Sequence, residues 1–73
     1  MEHVGRIIRH HRDHLGLTRA RLSMFSGVSE TAIYDVERGK PSVRLDTVSK
    51  LLEVLNVAVR FESPLMDLLD DAP

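Results

Sequence analysis

Residues 28–39 constrain the fold more than any other stretch, because they carry a start signal and a stop signal for one short helix. Ser29 is a good N-cap, since its hydroxyl can accept a hydrogen bond from a free backbone N–H one turn later. Gly39 can adopt the left-handed conformation that ends a helix. The apolar residues of the stretch recur at the spacing of a single narrow buried stripe: Val28, Ala32, Ile33 and Val36.

The outward face of this predicted helix is rich in hydrogen-bonding side chains: Glu30, Thr31, Tyr34, Asp35 and Arg38. A short helix with a thin inner stripe and a polar outer face is suited to reading a DNA groove. The alternative is an ordinary solvated surface helix, because polar outer faces are the norm for amphipathic helices. This stretch alone leaves both interpretations open.

Length and composition limit the rest of the chain. With 73 residues it forms one small domain, whose single core is marginally stable, so we expect oligomerisation. The absence of cysteine excludes disulfides and thiolate metal sites. No apolar run approaches the roughly 20 residues that span a bilayer, and the N-terminus lacks a signal-peptide pattern. We therefore expect a soluble, cytoplasmic protein with no membrane partner.

Charge is distributed unevenly along the chain, although the net charge is only −1. Residues 1–44 contain eight basic and five acidic side chains, whereas residues 45–73 contain two basic and six acidic ones. The net charge is not that of a strongly basic nucleic-acid binder. The asymmetry nevertheless favours nucleic acid as the partner of the front part and another role for the tail.

Two further helices are predicted before the opening stretch. Residues 3–15 place five side chains on one face at helical period: Val4, Ile7, Ile8, His11 and Leu15. Gly16 ends this helix, and Thr18 caps a second helix over residues 19–25. The second helix has three residues suited to inward positions: Ala20, Leu22 and Phe25. Two short helices joined by a turn that contains Gly27 are typical of a helix-turn-helix.

A fourth helix is predicted over residues 45–55, after a connector in which Pro41 prevents the third helix from continuing. Asp46 suits the positive end of its dipole, and Asn56 is a plausible left-handed stop. Its inward face would be formed by leucines and a valine: Leu45, Val48, Leu51, Leu52 and Leu55.

The period then changes to alternation over residues 57–62, which predicts a short β-strand. A lone strand leaves its backbone unpaired, so we expect it to pair with the same strand of a second copy. The predicted dimer interface contains four apolar residues: Leu55, Val57, Val59 and Phe61. Pairing through the fourth helix is the main alternative. These elements divide the chain into a domain over residues 1–62 and a short acidic tail over residues 63–73.

Apolar, capping and charged residues recur at a specific spacing in Ile8, Arg12, Leu15-Gly16-Leu17-Thr18, Leu22, Gly27-Val28-Ser29, Ile33 and Val36-Glu37-Arg38-Gly39-Lys40-Pro41. This spacing resembles that of the Xre/Cro repressor family of helix-turn-helix proteins. Residues 43–47 and 57–61 are most similar to the HipB-like antitoxin branch. The resemblance implies an all-α, lambda-repressor-like domain of four to five helices with a C-terminal strand that pairs across a dimer.

The same resemblance implies a function. It predicts a repressor that binds inverted-repeat operator DNA as a homodimer, acts as the antitoxin of a HipBA-like operon and binds a HipA-like kinase toxin. A bacterial, nucleoid-associated location follows from that likeness. Two alternatives remain: an antitoxin that neutralises its toxin directly, with DNA binding secondary, and a phage-type repressor without a toxin.

We predict DNA contacts at ten positions on and around the two helices of the motif: Thr18, Arg19, Ser29, Glu30, Thr31, Tyr34, Asp35, Arg38, Lys40 and Arg44. Thr31 and Asp35 are the best candidates for reading base edges. The cations and the hydroxyl groups of this set would contact phosphates. Arg19 stands where many relatives have Gln, and we hypothesise that it holds Glu30; two independent surface charges are the alternative.

Arg12 and Glu37 match a family ion pair between the first and third helices, and we favour a structural role for it over a DNA contact. His3, His10 and His14 can share one helical stripe, but no acidic residue or cysteine lies on it, so we predict no metal site and no cofactor. The chain has no nucleophile and base at a recognisable spacing and no phosphate-binding loop, so we predict no enzymatic activity.

Overall fold

The computed structural model describes residues 2–57, which form four helices. They are α1 (Glu2–His14), α2 (Arg19–Ser26), α3 (Glu30–Glu37) and α4 (Leu45–Val54). The predicted all-α class is confirmed, and no strand occurs between residues 2 and 57. Apart from its first residue, the predicted C-terminal strand lies outside the described residues, as does the tail over residues 63–73.

Side-chain caps begin the two helices of the motif, as their sequences predict. The Thr18 hydroxyl accepts a hydrogen bond from the Arg21 amide at 3.1 Å, and the Ser29 hydroxyl accepts one from the Ala32 amide at 3.1 Å. Each cap satisfies one of the backbone N–H groups that a helix N-terminus leaves without a partner. The first turns of α2 and α3 are therefore defined by local chemistry.

Left-handed residues end three of the helices at the predicted positions: Gly16 (φ 70°), Gly39 (φ 81°) and Asn56 (φ 57°). In each case the next amide donates back across the last turn, as in a Schellman motif. The Leu17 amide donates to the Arg12 carbonyl oxygen at 3.0 Å, and the Lys40 amide donates to the Asp35 carbonyl oxygen at 3.0 Å. Backbone hydrogen bonds therefore fix the direction in which the chain continues after each of these helices.

One hydrophobic core joins the four helices and buries nine apolar side chains: Ile8, Leu22, Val28, Ile33, Val36, Val48, Leu51, Leu52 and Leu55. Each helix contributes at least one residue that is completely buried, namely Ile8, Leu22, Ile33 and Leu51. α3 contacts both α1 and α2. The inner stripe of α3 thus packs into the core, which holds the helix in place at the surface of the domain.

Gly5 lies where α1 approaches α3 most closely. A Cβ atom built at Gly5 would overlap the carbonyl oxygen of Val36 and would lie 3.0 Å from that of Glu37. Because glycine alone leaves this space free, the backbone of α1 can pack directly against the last turn of α3.

Four residues predicted to face inward are exposed. Leu15, Phe25 and Leu45 each keep more than half of their surface accessible, and Ala20 is also exposed. Leu15 and Leu45 lie at helix ends, where the chain turns away from the core. α2 directs a single buried residue, Leu22, into the core, and its other apolar positions lie on its exposed side.

The prediction that Leu55 belongs to a dimer interface is wrong. Leu55 is 4% exposed and belongs to the core of its own chain. Val57 is half-buried and packs against the same core. α4 ends in a left-handed turn at Asn56, after which the Val57 amide donates back to the Leu52 carbonyl oxygen. Leu55 is thus used inside the chain, whereas Val57 keeps part of its surface accessible. Val59 and Phe61 lie outside the described residues.

No helix in the described part of the chain has the length and apolar character needed to cross a bilayer.

Candidate nucleic-acid interface

α2 and α3 form two packed helices joined by a short turn, and α3 presents a polar surface. Its inner side buries Ile33, Val36 and Glu37. Four of the predicted contact residues on its outer side are exposed: Glu30, Thr31, Tyr34 and Arg38. This arrangement exposes one helix face while the neighbouring helix supports it, which is the geometry by which a helix-turn-helix offers side chains to a DNA groove.

Glu37 is the buried anchor of this arrangement, with a side chain that is only 2% exposed. Arg12 donates to it from two nitrogens, with Nε 2.7 Å from Oε2 and Nη2 3.1 Å from Oε1. A bidentate fork of this kind restrains both distance and angle. The structure thus places Arg12 and Glu37 in the contact that the sequence predicts between α1 and α3.

Arg12 also links α1 to the turn that follows it. Its Nη1 donates to the Leu17 carbonyl oxygen at 2.8 Å and lies 3.3 Å from Oδ1 of Asp13. Hydrogen bonding to Glu37 raises the pKa of the Arg12 guanidinium above its ordinary value, against the opposing effect of burial. The buried charge of Glu37 is thereby compensated by a permanently charged partner.

Arg19 does not hold Glu30, so the hypothesis for this pair is wrong. Its Nε donates instead to Oε1 of Glu37 at 3.1 Å, although its own side chain is 35% exposed. Arg19 lies on the first turn of α2, whereas Glu30 is exposed on the first turn of α3. Glu37 attracts Arg19 more strongly because a buried carboxylate is less screened by water than an exposed one.

Asp35, a predicted base-reading residue, is paired with two cations of its own chain. Its Oδ1 accepts from Nε of Arg38 at 3.2 Å, and its Oδ2 lies 3.5 Å from Nζ of Lys40. The carboxylate is 22% exposed, while both cations are more exposed than Asp35 itself. In this arrangement Asp35 orients two of the predicted phosphate-binding residues.

Two arginines lie over the ring of Tyr34. The guanidinium carbons of Arg19 and Arg38 are 5.4 and 5.6 Å from the ring centroid. These distances are within the range of cation–π attraction. Tyr34 therefore contacts one arginine of each of two ion-pair clusters: the Glu37 cluster, which is Glu37 with Arg12 and Arg19, and the Asp35 cluster, which is Asp35 with Arg38 and Lys40.

The other predicted contact residues surround this centre. The Thr18 and Ser29 hydroxyls each accept one capping bond, and each still carries its own proton for donation to an acceptor. Arg44 precedes α4 and is paired with Asp46, with 3.2 Å between Nε and Oδ1, while remaining highly exposed. Exposed ion pairs of this kind are weak, so Arg44 can exchange its partner for a phosphate.

Two features of the site are not among the predictions from the sequence. The first is the close approach at Gly5, for which a glycine inside an otherwise regular amphipathic helix was the available signal. The second is the contact of Arg19 with Tyr34, which joins residues fifteen positions apart on different helices. No local pattern in the sequence indicates a contact of that kind.

Comparison with known proteins gives matches centred on the same region. A family described as helix-turn-helix matches residues 8–61. Proteins named as HTH-type transcriptional regulatory proteins in Saccharolobus islandicus (strain L.S.2.15) and Saccharolobus solfataricus (strain P2) are each 38% identical over 48 residues. Those residues are 66% of this chain but only 16% of each relative.

Both of these organisms are archaea, so the comparison offers no support for the bacterial source that the HipB-like resemblance implied. The family match covers most of the chain and includes all four helices from residue 8 onward. It agrees with the Xre/Cro-type spacing and with a lambda-repressor-like arrangement of the helices. The chain belongs to the helix-turn-helix family, in its Xre/Cro type.

Proposed function

We propose that this chain is a sequence-specific DNA-binding transcriptional repressor that uses α3 and its surroundings to contact operator DNA. One observation carries the proposal: α3 is anchored through buried Glu37 while its outer face is polar and bordered by cations. Those cations are Arg19, Arg38, Lys40 and Arg44. The family and the names of the archaeal relatives support the coarser part of the proposal, a DNA-binding regulatory role.

Phosphate contacts supply most of the affinity in this proposal. The cations around α3 would neutralise phosphates on both sides of the groove, and the Thr18 and Ser29 hydroxyls would donate to phosphate oxygens. Glu30 and Thr31 are exposed at the start of α3, where a recognition helix contacts base edges. A threonine methyl group can pack against the methyl group of thymine.

The proposal includes a homodimer, because one mildly basic copy makes few phosphate contacts. Two copies would occupy half-sites about 34 Å apart, one helical turn of DNA, and would double the number of neutralised phosphates. Val57, Val59 and Phe61 are the interface residues of this proposal. Leu55 is left out, because it is 4% exposed and lies in the core of its own chain.

An antitoxin role is the finer form of the proposal, and it rests on the HipB-like resemblance in residues 43–47 and 57–61. In that form the repressor would control its own operon and bind a HipA-like kinase toxin. Direct neutralisation of a toxin and phage-type repression without one remain the alternatives. A chain truncated at Ser63 separates these roles. If the truncated chain loses toxin binding and keeps DNA binding, the toxin-binding site lies in the tail.

Binding to the DNA upstream of its own gene, measured over a series of salt concentrations, tests the main proposal. We expect a steep fall of log affinity with log salt, and Lys40→Ala should reduce the slope by about one. Lys50→Ala is the matched control, because it removes one exposed lysine from α4 outside the predicted contacts. Absence of binding at low salt would overturn the proposal, whereas equal slopes for both variants would remove Lys40 from the interface.

A further inference from the structure

We propose that Tyr34 is a base-reading residue of α3 and that Arg19 and Arg38 are positioning residues that hold its ring. This inference rests on the proposed function and deepens it. Tyr34 is 51% exposed on the outer face of α3, and both guanidinium groups lie over its ring. An exposed aromatic ring with two cations over it has far fewer orientations than one surrounded by water.

Each of the two arginines is itself held by a carboxylate. Nε of Arg19 donates to Glu37 at 3.1 Å, and Nε of Arg38 donates to Asp35 at 3.2 Å. Both anchors use the Nε group, so the terminal NH₂ groups of each guanidinium remain suited to phosphate oxygens. The arginines can therefore position Tyr34 and contact the DNA backbone at the same time.

This network gives the acidic residues of α3 a function in DNA binding. Asp35 and Glu37 would repel phosphates if they stood alone on a DNA-facing helix. Here each accepts from two cations, which are Arg38 and Lys40 for Asp35 and Arg12 and Arg19 for Glu37. Their charges are compensated within the chain, and the surface offered to DNA remains cationic.

Tyr34 has the chemistry to discriminate between base pairs in the major groove. The edge of its ring can pack against the methyl group of thymine, and its hydroxyl can donate to or accept from a base edge. A ring that is already oriented loses little conformational entropy on binding, so the contact adds to affinity as well as to selectivity. Asp35 is less available for such a contact, because its two oxygens are paired with Arg38 and Lys40.

The chain contains a matched control for this arrangement on α2. Phe25 is 57% exposed, and the guanidinium carbon of Arg21 is 5.8 Å from its ring centroid. Phe25 is thus about as exposed as Tyr34 and also has an arginine over its ring. It lies on the supporting helix, however, and outside the set of predicted contact residues. Phe25→Ala should therefore leave base preference unchanged.

Tyr34 can be observed without DNA, because it is the only tyrosine and the chain has no tryptophan. Its ring resonances should shift and its fluorescence anisotropy should fall in Arg19→Met, which removes one positioning arginine, and in Asp35→Asn, which loosens the anchor of the other. Phe25→Ala should alter neither signal. Unchanged Tyr34 signals in both variants would overturn the positioning roles.

Selection from a random-sequence duplex library, run with the full chain, tests the reading role. We expect Tyr34→Ala to lose about tenfold discrimination at one position of each half-site while it still binds DNA. Tyr34→Phe should retain the preference if the ring edge reads thymine, and Arg19→Lys should weaken it at that same position. An unchanged preference in Tyr34→Ala would overturn the inference and leave the proposed function intact. A wild-type chain that binds no duplex would instead overturn the proposed function itself.

Discussion

Two carboxylates near the end of α3 are both paired with two cations, yet they stand in opposite environments. Glu37 is 2% exposed and accepts from Arg12 and Arg19, with a shortest distance of 2.7 Å. Asp35, two residues earlier, is 22% exposed and is paired with Arg38 and Lys40 at 3.2 and 3.5 Å. The same chemistry therefore serves as an internal brace at one position and as a surface arrangement at the other.

Burial determines the energetic weight of each cluster. Removing one partner of a buried pair leaves an uncompensated charge in a low-dielectric environment, which is strongly destabilising. Removing one partner of a surface pair leaves a charge that water and salt can screen, so little stability is lost. The Glu37 cluster should thus control folding, and the Asp35 cluster should control how the surface meets DNA.

The largest effect should come from Glu37→Ala. This change leaves Arg12 buried without its carboxylate, and we expect a loss of about 3–5 kcal/mol in the free energy of unfolding. Urea denaturation followed by circular dichroism measures that loss. DNA binding should fall with the fraction of unfolded chain, and the base preference of the folded fraction should weaken only at the Tyr34 position, because Arg19 also loses its carboxylate.

A double replacement tests whether the brace acts through charge pairing. Arg12→Met combined with Glu37→Met removes both buried charges at similar volume and should recover much of the stability lost in Glu37→Ala. A Glu37→Ala chain with wild-type stability and lost DNA binding would contradict the structural role and move Glu37 into the interface.

Gly5→Ala should have an intermediate effect. The added methyl group meets the carbonyl oxygen of Val36, so α1 must move away from α3 and the Arg12 fork must stretch. Overpacking of this kind typically destabilises by about 1–3 kcal/mol. Arg6→Ala is the control, since it changes an exposed position one residue later and should shift stability by less than about 0.5 kcal/mol. Equal thermal midpoints for the two variants would mean that the helices tolerate the wider spacing.

Asp35→Asn should have the smallest effect on stability and a visible effect on binding. The pair is partly exposed and screened, so we expect a loss of less than about 1 kcal/mol. Affinity for random-sequence duplex should rise, because a negative charge near the phosphates is removed, whereas discrimination between operator and random DNA should fall. Competition binding at fixed salt measures both quantities. A loss of stability as large as that of Glu37→Ala would erase the difference between the two clusters.

The parts of the fold that the sequence predicts are those decided by local chemistry. Thr18 and Ser29 cap α2 and α3, and Gly16, Gly39 and Asn56 end three helices, because each choice depends on the conformational preferences of one residue and its neighbours. The inner stripe of α3 was also predictable, since start and stop signals fixed its register.

Predictions failed where the outcome depends on distance in space. Apolar periodicity places Phe25 and Leu45 on inward faces. It does not reveal that α2 turns only Leu22 into the core, or that Leu45 lies exposed at the start of α4. Complementary charge suggested Glu30 as the partner of Arg19, whereas burial made Glu37 the partner. The burial of Leu55 and the contacts of Tyr34 with two arginines likewise depend on how the helices pack together. The sequence of one helix alone does not determine that packing.

The capped ends of α3 have a consequence for how such a protein can change its target. Ser29 and Gly39 set both boundaries of the helix, and neither boundary depends on the identity of the outward side chains. Substitutions at the exposed positions Glu30, Thr31 and Tyr34 should therefore leave the start and the end of α3 unchanged. A lineage carrying this domain could acquire new operators by exchanging a few exposed residues, and a designer could follow the same route.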